Sequence, residues 1–148
     1  MSLKRVSEEL TKEILKDEKT NTLSNTKIPN TKEVFQFIQH IKNCLYPGFF
    51  EQKNQPLQEG LIQELKDCKS CLENSLTKLT ADKKKATKIT SSFINYLPKL
   101  RQSLNQDINS ILEGDPAAKN KIEILTTYPG VQAILHYRIA HFFYQKNI

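Results

Sequence analysis

The feature that most constrains the fold is a helical repeat of apolar residues that runs from residue 56 to residue 113. In its first half the repeat consists of Leu57, Leu61, Leu65, Leu72, Leu76 and Leu79. In its second half it consists of Ile89, Phe93, Leu97, Leu100, Leu104, Ile108 and Ile111. Because a spacing near 3.6 residues gathers side chains on one face of a helix, the sequence predicts two long amphipathic helices packed as an antiparallel pair.

Proline and glycine mark where these two helices should begin, bend and end. Pro56 suits the first turn of a helix, where its missing N–H costs nothing. Pro98 lies inside the second repeat, and its ring removes one backbone hydrogen bond and clashes with the preceding turn. We therefore expect helices over 56–80 and 82–113, with a kink or a new helix at Pro98 and a stop at Gly114.

The chain before this repeat predicts two shorter helices joined by a polar loop. Residues 4–18 place apolar side chains at helical spacing, namely Val6, Leu10, Ile14 and Leu15. Residues 30–33 (Asn-Thr-Lys-Glu) have the pattern of a capping box, which favours a second helix over 31–44. A Tyr-Pro-Gly turn should end that helix with a positive φ at Gly48, and the two phenylalanines at 49–50 are expected to be buried.

Composition favours an all-α fold without a second large domain. The chain has 148 residues, with four Gly, six Pro and no Trp, so it has room for one compact domain or two small helical units. We divide it into an N-terminal amphipathic helix and loop (1–29) and a helical domain (30–148). Within the latter, residues 30–113 form the long helices and 114–148 a separate terminal segment.

The net charge of +6 would suit an anionic partner such as nucleic acid. The densest basic run, Lys83-Lys84-Lys85 with Lys88, lacks the interleaved aromatic residues of a single-strand binding surface. A solvated helix face is the better interpretation, and we expect no nucleic-acid partner.

Features that report on the compartment favour the cytoplasm. No apolar run approaches the 18 or so residues that span a bilayer, and no signal peptide is visible, so we expect no membrane association. The three cysteines, Cys44, Cys68 and Cys71, form an odd set that suits a reducing compartment. Cys68 and Cys71 form a C-x-x-C, but no second pair or ligand-spaced His follows, so we expect no metal site and leave their role open.

The terminal segment contains two further helix signals. Asp115 is a favoured N-cap residue and Pro116 a favoured first helical residue, so Ala117 and Ala118 should continue a helix from there. A Tyr-Pro-Gly break at 128–130 should separate this helix from the next.

The last helix, over residues 131–144, is apolar on nearly every side, so we expect it to be deeply buried or covered by another subunit. His136 and His141 lie five residues apart and do not share a face as a metal pair would. Although Tyr137 and Arg138 lie beside them, a hydrogen-bonded core histidine is favoured over a catalytic one.

The order Asp-Pro-Ala-Ala, about ten residues, Tyr-Pro-Gly, then Ala-Ile-x-x-Tyr-Arg-Ile-Ala-His closely resembles the end of the N-terminal helical domain of bacterial serine O-acetyltransferases. The upstream turn Tyr-Pro-Gly-Phe-Phe and the run FINYLPKLRQSLNQDINSILEGDPAA resemble a branch of that family with a longer N-terminal extension. The last 40 or so residues carry the specific part of the resemblance.

The resemblance implies transfer of an acetyl group from acetyl-CoA to L-serine, giving O-acetylserine for cysteine biosynthesis. In that family a His–Asp pair and the CoA groove lie in a C-terminal left-handed β-helix, whose hexapeptide repeats this sequence does not contain. The resemblance therefore places no catalytic, cofactor or metal residue in this chain. Acetyl-CoA would be a co-substrate bound by the missing domain.

One functional position carries over by motif match. Asp115 matches the family's aspartate that reaches toward the serine pocket and helps to bind the amino acid. Many members have a His at the position of Gln132, so this chain departs from the pattern there. Family members are commonly hexamers joined through their helical domains, which implies that this chain forms a homo-oligomer.

Two interpretations of the whole chain follow. The favoured one is the N-terminal helical region of a serine O-acetyltransferase, which supplies oligomer contacts and part of the serine site and is inactive alone. The alternative is a stand-alone helical module that binds a protein partner and performs no chemistry.

Overall fold

The computed structural model describes residues 3–20, 31–49 and 56–148, with side chains given for all of these except 17–20. Within these residues the chain forms six α-helices and no strand, as the all-α prediction requires. The helices are α1 (Leu3–Thr20), α2 (Thr31–Leu45), α3 (Leu57–Thr80), α4 (Lys83–Gly114), α5 (Lys121–Thr127) and α6 (Pro129–Tyr144).

Short local contacts set the boundary between α3 and α4. Ala81 adopts a left-handed conformation (φ 53°), and its N–H donates to the Thr77 carbonyl to close α3. The carboxylate of Asp82 then accepts a 3.0 Å hydrogen bond from the Lys85 N–H and caps α4. Because only two residues join them, the two long helices pack side by side in opposite directions, as the repeat predicted.

Pro98 does not start a new helix, so that part of the prediction is wrong. Helix α4 runs without interruption from Lys83 to Gly114. Pro98 lies on the exposed face of α4 between the buried Leu97 and Leu100. The backbone carbonyl four residues before Pro98 has no N–H partner in the helix. It therefore faces the solvent side, where water can satisfy it.

The core forms where α2, α3, α5 and α6 meet the buried face of α4. The largest of its fully enclosed side chains is Phe93. The Phe93 ring centroid lies 5.5 Å from that of Phe37 on α2. It lies 5.1 Å from Phe142 and 5.0 Å from Phe143, both on α6. These aromatic contacts join α2 and α6 to the centre of the bundle on α4.

A polar contact fixes the end of α2 on α4. The buried Tyr46 hydroxyl donates a 2.9 Å hydrogen bond to the Asn105 side chain, and the Arg101 guanidinium lies 4.9 Å from the Tyr46 ring centroid. Burial raises the pKa of Tyr46 to about 12. The hydroxyl therefore stays protonated and remains a donor at neutral pH.

The turn after α2 confirms one expectation and contradicts another. Gly48 has a positive φ of 82°, as predicted. Phe49 is 43% exposed, so its predicted burial is wrong; it packs one edge against Tyr46, at 6.1 Å between ring centroids, and leaves the rest in solvent. Asn30 of the predicted capping box and Phe50 lie outside the described residues.

Helix α1 forms as predicted but buries none of its described side chains. Leu10 and Ile14, for example, are 57% and 55% exposed. Among the residues that the structure describes, no helix is long and apolar enough to cross a membrane. The division of the chain at residues 29 and 30 stays a prediction.

Truncation of the central aromatic residue should be costly. We expect Phe93→Ala to lower the free energy of unfolding by about 3–5 kcal/mol, because the cavity borders three other rings. Leu57→Ala is the control, since Leu57 is 68% exposed, and it should change stability by less than about 0.5 kcal/mol. Urea titration of the three proteins measures both values; equal effects would contradict this description of the core.

Candidate substrate-contact site at the end of α4

The segment after α4 is a tight turn rather than the start of a helix, so the predicted capping role of Asp115 and Pro116 is wrong. Residues 115–120 are non-helical, and α5 begins only at Lys121. Asn120 is the residue that caps it, with its side-chain oxygen 2.9 Å from the Glu123 N–H. Because the Glu123 carboxylate also reaches back to accept from the Lys119 N–H at 3.0 Å, this later cap has two hydrogen bonds and sets the helix start.

The turn holds the Asp115 carboxylate by both oxygens. The Ala117 N–H donates to Oδ1 at 2.9 Å, and the Tyr128 hydroxyl donates to Oδ2 at 2.9 Å. The backbone carbonyl of Asp115 accepts from the Ala118 N–H at 3.0 Å and closes the turn. Asp115 is half-buried, so the carboxylate has a fixed orientation and remains partly open to solvent.

Tyr128 lies at the junction between α5 and α6. Its hydrogen bond to Asp115 connects this junction to the end of α4. Its backbone N–H donates to the Ile124 carbonyl at 3.3 Å, and it precedes Pro129, the first residue of α6. The hydrogen bond to Asp115 and, secondarily, burial raise the pKa of the Tyr128 phenol. The Tyr-Pro-Gly break therefore separates two helices and also supplies the tyrosine that orients Asp115. The sequence alone did not indicate this second role.

Gln132 lies one turn further along α6 and also binds this junction. Its side-chain N–H donates to the Leu125 carbonyl at 2.8 Å. Its side-chain oxygen is enclosed, and within the described part of the chain it has no hydrogen-bond partner. Gln132 thus ties α6 to the end of α5 at the position where the resembling family often has a His.

Each Asp115 oxygen accepts one bond from the protein, although a carboxylate oxygen can accept two. An ammonium or hydroxyl group that approaches from the open side could therefore bind without displacing Tyr128 or the Ala117 amide. A charge-assisted bond of this kind is stronger than a neutral one in a partly desolvated cleft.

The histidines of α6 lie outside this turn, and the prediction that they belong to the core is wrong. His136 and His141 are both exposed, because the residues that face the interior are Val131, Leu135, Ile139 and Phe142. His141 Nε2 lies 2.9 Å from the Gln145 side chain, and its ring stacks on Tyr137 at 5.8 Å. Tyr137 is 68% exposed, so in this single chain α6 is buried on one face and open on the other.

Arg138 anchors α6 to α4 about two turns before Asp115. Its Nη2 atom donates to both carboxylate oxygens of Asp107, at 3.0 and 2.7 Å, and its Nε donates to Oδ2 at 3.1 Å. Such a forked pair fixes both distance and orientation. Sequence reasoning missed it because a pair 31 residues apart leaves no local pattern.

Among the described residues, the cysteines share no metal-ligating cluster with their neighbours. Cys68 is buried, and a hydrogen bond with Cys44 together with burial raises the pKa of its thiol; burial also raises the pKa of Cys71. Protonated thiols are poor metal ligands and nucleophiles. Over residues 3–20, 31–49 and 56–148 no group of three metal-ligating side chains occurs.

An apolar groove between α2, α3 and the second half of α6 was also missed. We call it the α2/α3/α6 groove; it has a volume of about 390 Å³. Its lining comes mainly from Val34, Phe35, Ile38, Leu76, Leu79, Ile139, Ala140 and Phe143. The signal that could have found it is the pair Val34 and Phe35, which place apolar side chains beside the buried face of α2.

The Asp115–Tyr128 bond predicts a specific titration. Asp115→Asn removes the negative charge beside the phenol, so it should lower the pKa of Tyr128 toward its ordinary value near 10. The stability that the bond confers should be present below that value and be lost as pH rises through the raised pKa of the folded chain. NMR of ¹³C-labelled tyrosine measures this; an unchanged titration in Asp115→Asn, or an equal change in Asp82→Asn, would contradict it.

Comparison with known proteins matches the sequence of this chain to a protein family. The family model described as serine acetyltransferase, N-terminal, matches residues 54–135, which is more than half of the chain. The match covers α3, α4 and α5 and the start of α6, and so includes Asp115, Tyr128 and Gln132.

Individual relatives carry the same name. A plasmid serine acetyltransferase of Synechococcus elongatus is 43% identical over 63 residues, which is 43% of this chain and 20% of the relative. The serine acetyltransferase of Bacillus pumilus is 44% identical over 45 residues, 30% of this chain and 21% of the relative. That of Helicobacter pylori is 44% identical over 44 residues, 30% of this chain and 26% of the relative.

The chain thus spans about a fifth to a quarter of the length of the relatives that it matches. Both the matched motif and the helical architecture agree with the resemblance stated from the sequence. The chain belongs to the serine acetyltransferase family, by way of that family's N-terminal helical domain.

Proposed function

We propose that this chain serves as the N-terminal helical region of an enzyme that transfers the acetyl group of acetyl-CoA to the hydroxyl of L-serine. In this proposal Asp115 binds the amino acid. The observation that supports it best is the Asp115 carboxylate itself, which two donors orient at the end of α4 while each oxygen keeps capacity for a further donor.

The contribution of this region is binding and orientation rather than chemistry. A carboxylate can accept two hydrogen bonds from the serine ammonium and so hold the hydroxyl in a fixed position for a base supplied elsewhere. In this proposal the general base and the groove that binds acetyl-CoA lie in a part of the enzyme outside these residues. The chain by itself is therefore proposed to be inactive.

Self-association and a cytoplasmic location complete the proposal. The open face of α6 carries Tyr137 and Tyr144, which are 68% and 76% exposed, and such aromatic residues are typical of protein contacts. The free thiols of Cys44, Cys68 and Cys71 suit a reducing compartment.

The α2/α3/α6 groove supports a second candidate, an interaction module without chemistry. An apolar groove between helices can accept an amphipathic helix of a partner. The two candidates differ in whether Asp115 acts on a substrate.

Kinetics of the full-length enzyme that contains this chain separate them. Asp115→Ala should raise the serine KM by about tenfold or more and leave the acetyl-CoA KM nearly unchanged, because only the ammonium loses its partner. Asp82→Ala is the matched control, since it removes an aspartate cap at the other end of α4. Equal changes in both KM values would remove Asp115 from the serine site, and a full-length protein that transfers no acetyl group to serine would favour the interaction module.

A further inference from the structure

Among the described residues, Tyr128 is the one side chain that donates a hydrogen bond to the Asp115 carboxylate. An ionised carboxylate can only accept, so the phenol is the donor in the 2.9 Å bond between the Tyr128 hydroxyl and Oδ2. The other bond, from the Ala117 N–H to Oδ1, belongs to the backbone of the turn. A change of side chain can therefore remove the Tyr128 bond and leave the Ala117 bond in place.

Two bonds to different oxygens fix the plane of a carboxylate more closely than one bond does. The torsion about the Cβ–Cγ bond of an aspartate has a broad distribution, and a single hydrogen bond tolerates many tilts of the carboxylate. The second bond, from Tyr128 to Asp115, restricts this torsion. It therefore sets the direction in which the remaining lone pairs of both oxygens point.

Tyr128 is itself held at the junction of α5 and α6. Its N–H donates to the Ile124 carbonyl at 3.3 Å, and its carbonyl accepts from the Val131 N–H at 3.1 Å. The Gln132 side chain donates to the Leu125 carbonyl at 2.8 Å, so this bond joins the residues on either side of Tyr128. The Tyr128 ring is half-buried and packs against the core. The hydroxyl therefore has a defined position, which a residue on an open loop would lack.

The phenol of Tyr128 keeps its proton at neutral pH. The hydrogen bond to Asp115 is the main cause that raises the pKa of Tyr128, and burial and the charges of Asp115 and Glu123 act in the same direction. Because the ordinary pKa of a tyrosine is already near 10, the hydroxyl remains a donor to the carboxylate.

We propose that Tyr128 is a positioning residue for the amino-acid substrate, because its hydroxyl orients the Asp115 carboxylate toward the substrate ammonium. The inference rests on the proposed function and extends the serine site from Asp115 to the α5–α6 junction. A carboxylate that already points into the open side of the turn loses little rotational freedom when the ammonium binds. In this proposal Tyr128 raises the affinity for serine and makes no contact with it.

A purely structural role for Tyr128 predicts a different result. The bond to Asp115 would then only fasten the α5–α6 junction to the end of α4, and its loss would affect both substrates alike. Tyr46 is the matched control, since its hydroxyl also donates at 2.9 Å to a side chain of α4, that of Asn105. Asn105 lies ten residues before Asp115, about 15 Å along the helix, so this bond stabilises the bundle away from the site.

Steady-state kinetics of the full-length enzyme to which we propose that this chain belongs test the inference. Tyr128→Phe keeps the ring and removes only the hydroxyl, so it should raise the serine KM by about three- to tenfold. The acetyl-CoA KM and kcat should change by less than about twofold. Tyr46→Phe should leave both KM values unchanged, and circular dichroism should show that both variants fold. Equal changes of both KM values in Tyr128→Phe would indicate a structural role and overturn the inference.

The double variant of Asp115→Ala with Tyr128→Phe gives the decisive result. If Tyr128 acts through Asp115, its hydroxyl has nothing left to orient, so the serine KM should match that of Asp115→Ala alone within about twofold. Effects that multiply would overturn the inference.

The single variants separate this inference from the proposed function. A serine KM that rises in Asp115→Ala but not in Tyr128→Phe would overturn the positioning role and leave the proposed function in place. A serine KM that is unchanged in Asp115→Ala would overturn the proposed role of Asp115 and, with it, that of Tyr128.

Discussion

The rest of the bundle is organised around one buried face of α4, against which α3, α5 and α6 pack and to which α2, itself packed mainly on α3, adds Phe37. Phe93 is fully enclosed at its centre, and its ring contacts aromatic residues of both α2 and α6. This helix is 32 residues long, so its far end lies tens of ångströms from the α3–α4 turn. A rigid, well-packed rod of this kind can hold a polar residue in place at its end without that residue contributing to the core.

The candidate site is the consequence of that arrangement. Helix α4 ends at Gly114, and Asp115 is the next residue. The forked ion pair of Arg138 with Asp107 holds α6 against the same helix. Since α6 begins just after Tyr128, the orientation of the Asp115 carboxylate follows from helix packing as well as from its own turn. A loop without these anchors would leave the carboxylate free to rotate.

Periodicity was enough to predict the long helices, because α3 and α4 obey a repeat that only a helix satisfies. It failed at Asp115 and Pro116, where two capping signals compete within six residues and the hydrogen bonds accepted by the Asn120 and Glu123 side chains set the start of α5. The histidines of α6 were misjudged because a helix apolar on all sides does not reveal which side faces the core. Long-range pairs such as Tyr128 with Asp115 have no local pattern, although the family resemblance had already singled out Asp115.

The most direct test of the proposed function is a crystal structure, with L-serine bound, of the full-length enzyme to which we propose that this chain belongs. The account predicts that the serine ammonium lies within hydrogen-bond distance of the Asp115 carboxylate, about 2.7–3.2 Å, while Tyr128 still donates to Oδ2. Serine bound elsewhere, with Asp115 in contact only with Ala117 and Tyr128, would contradict it. In that case the Asp115 turn would be a structural element of the helical domain alone.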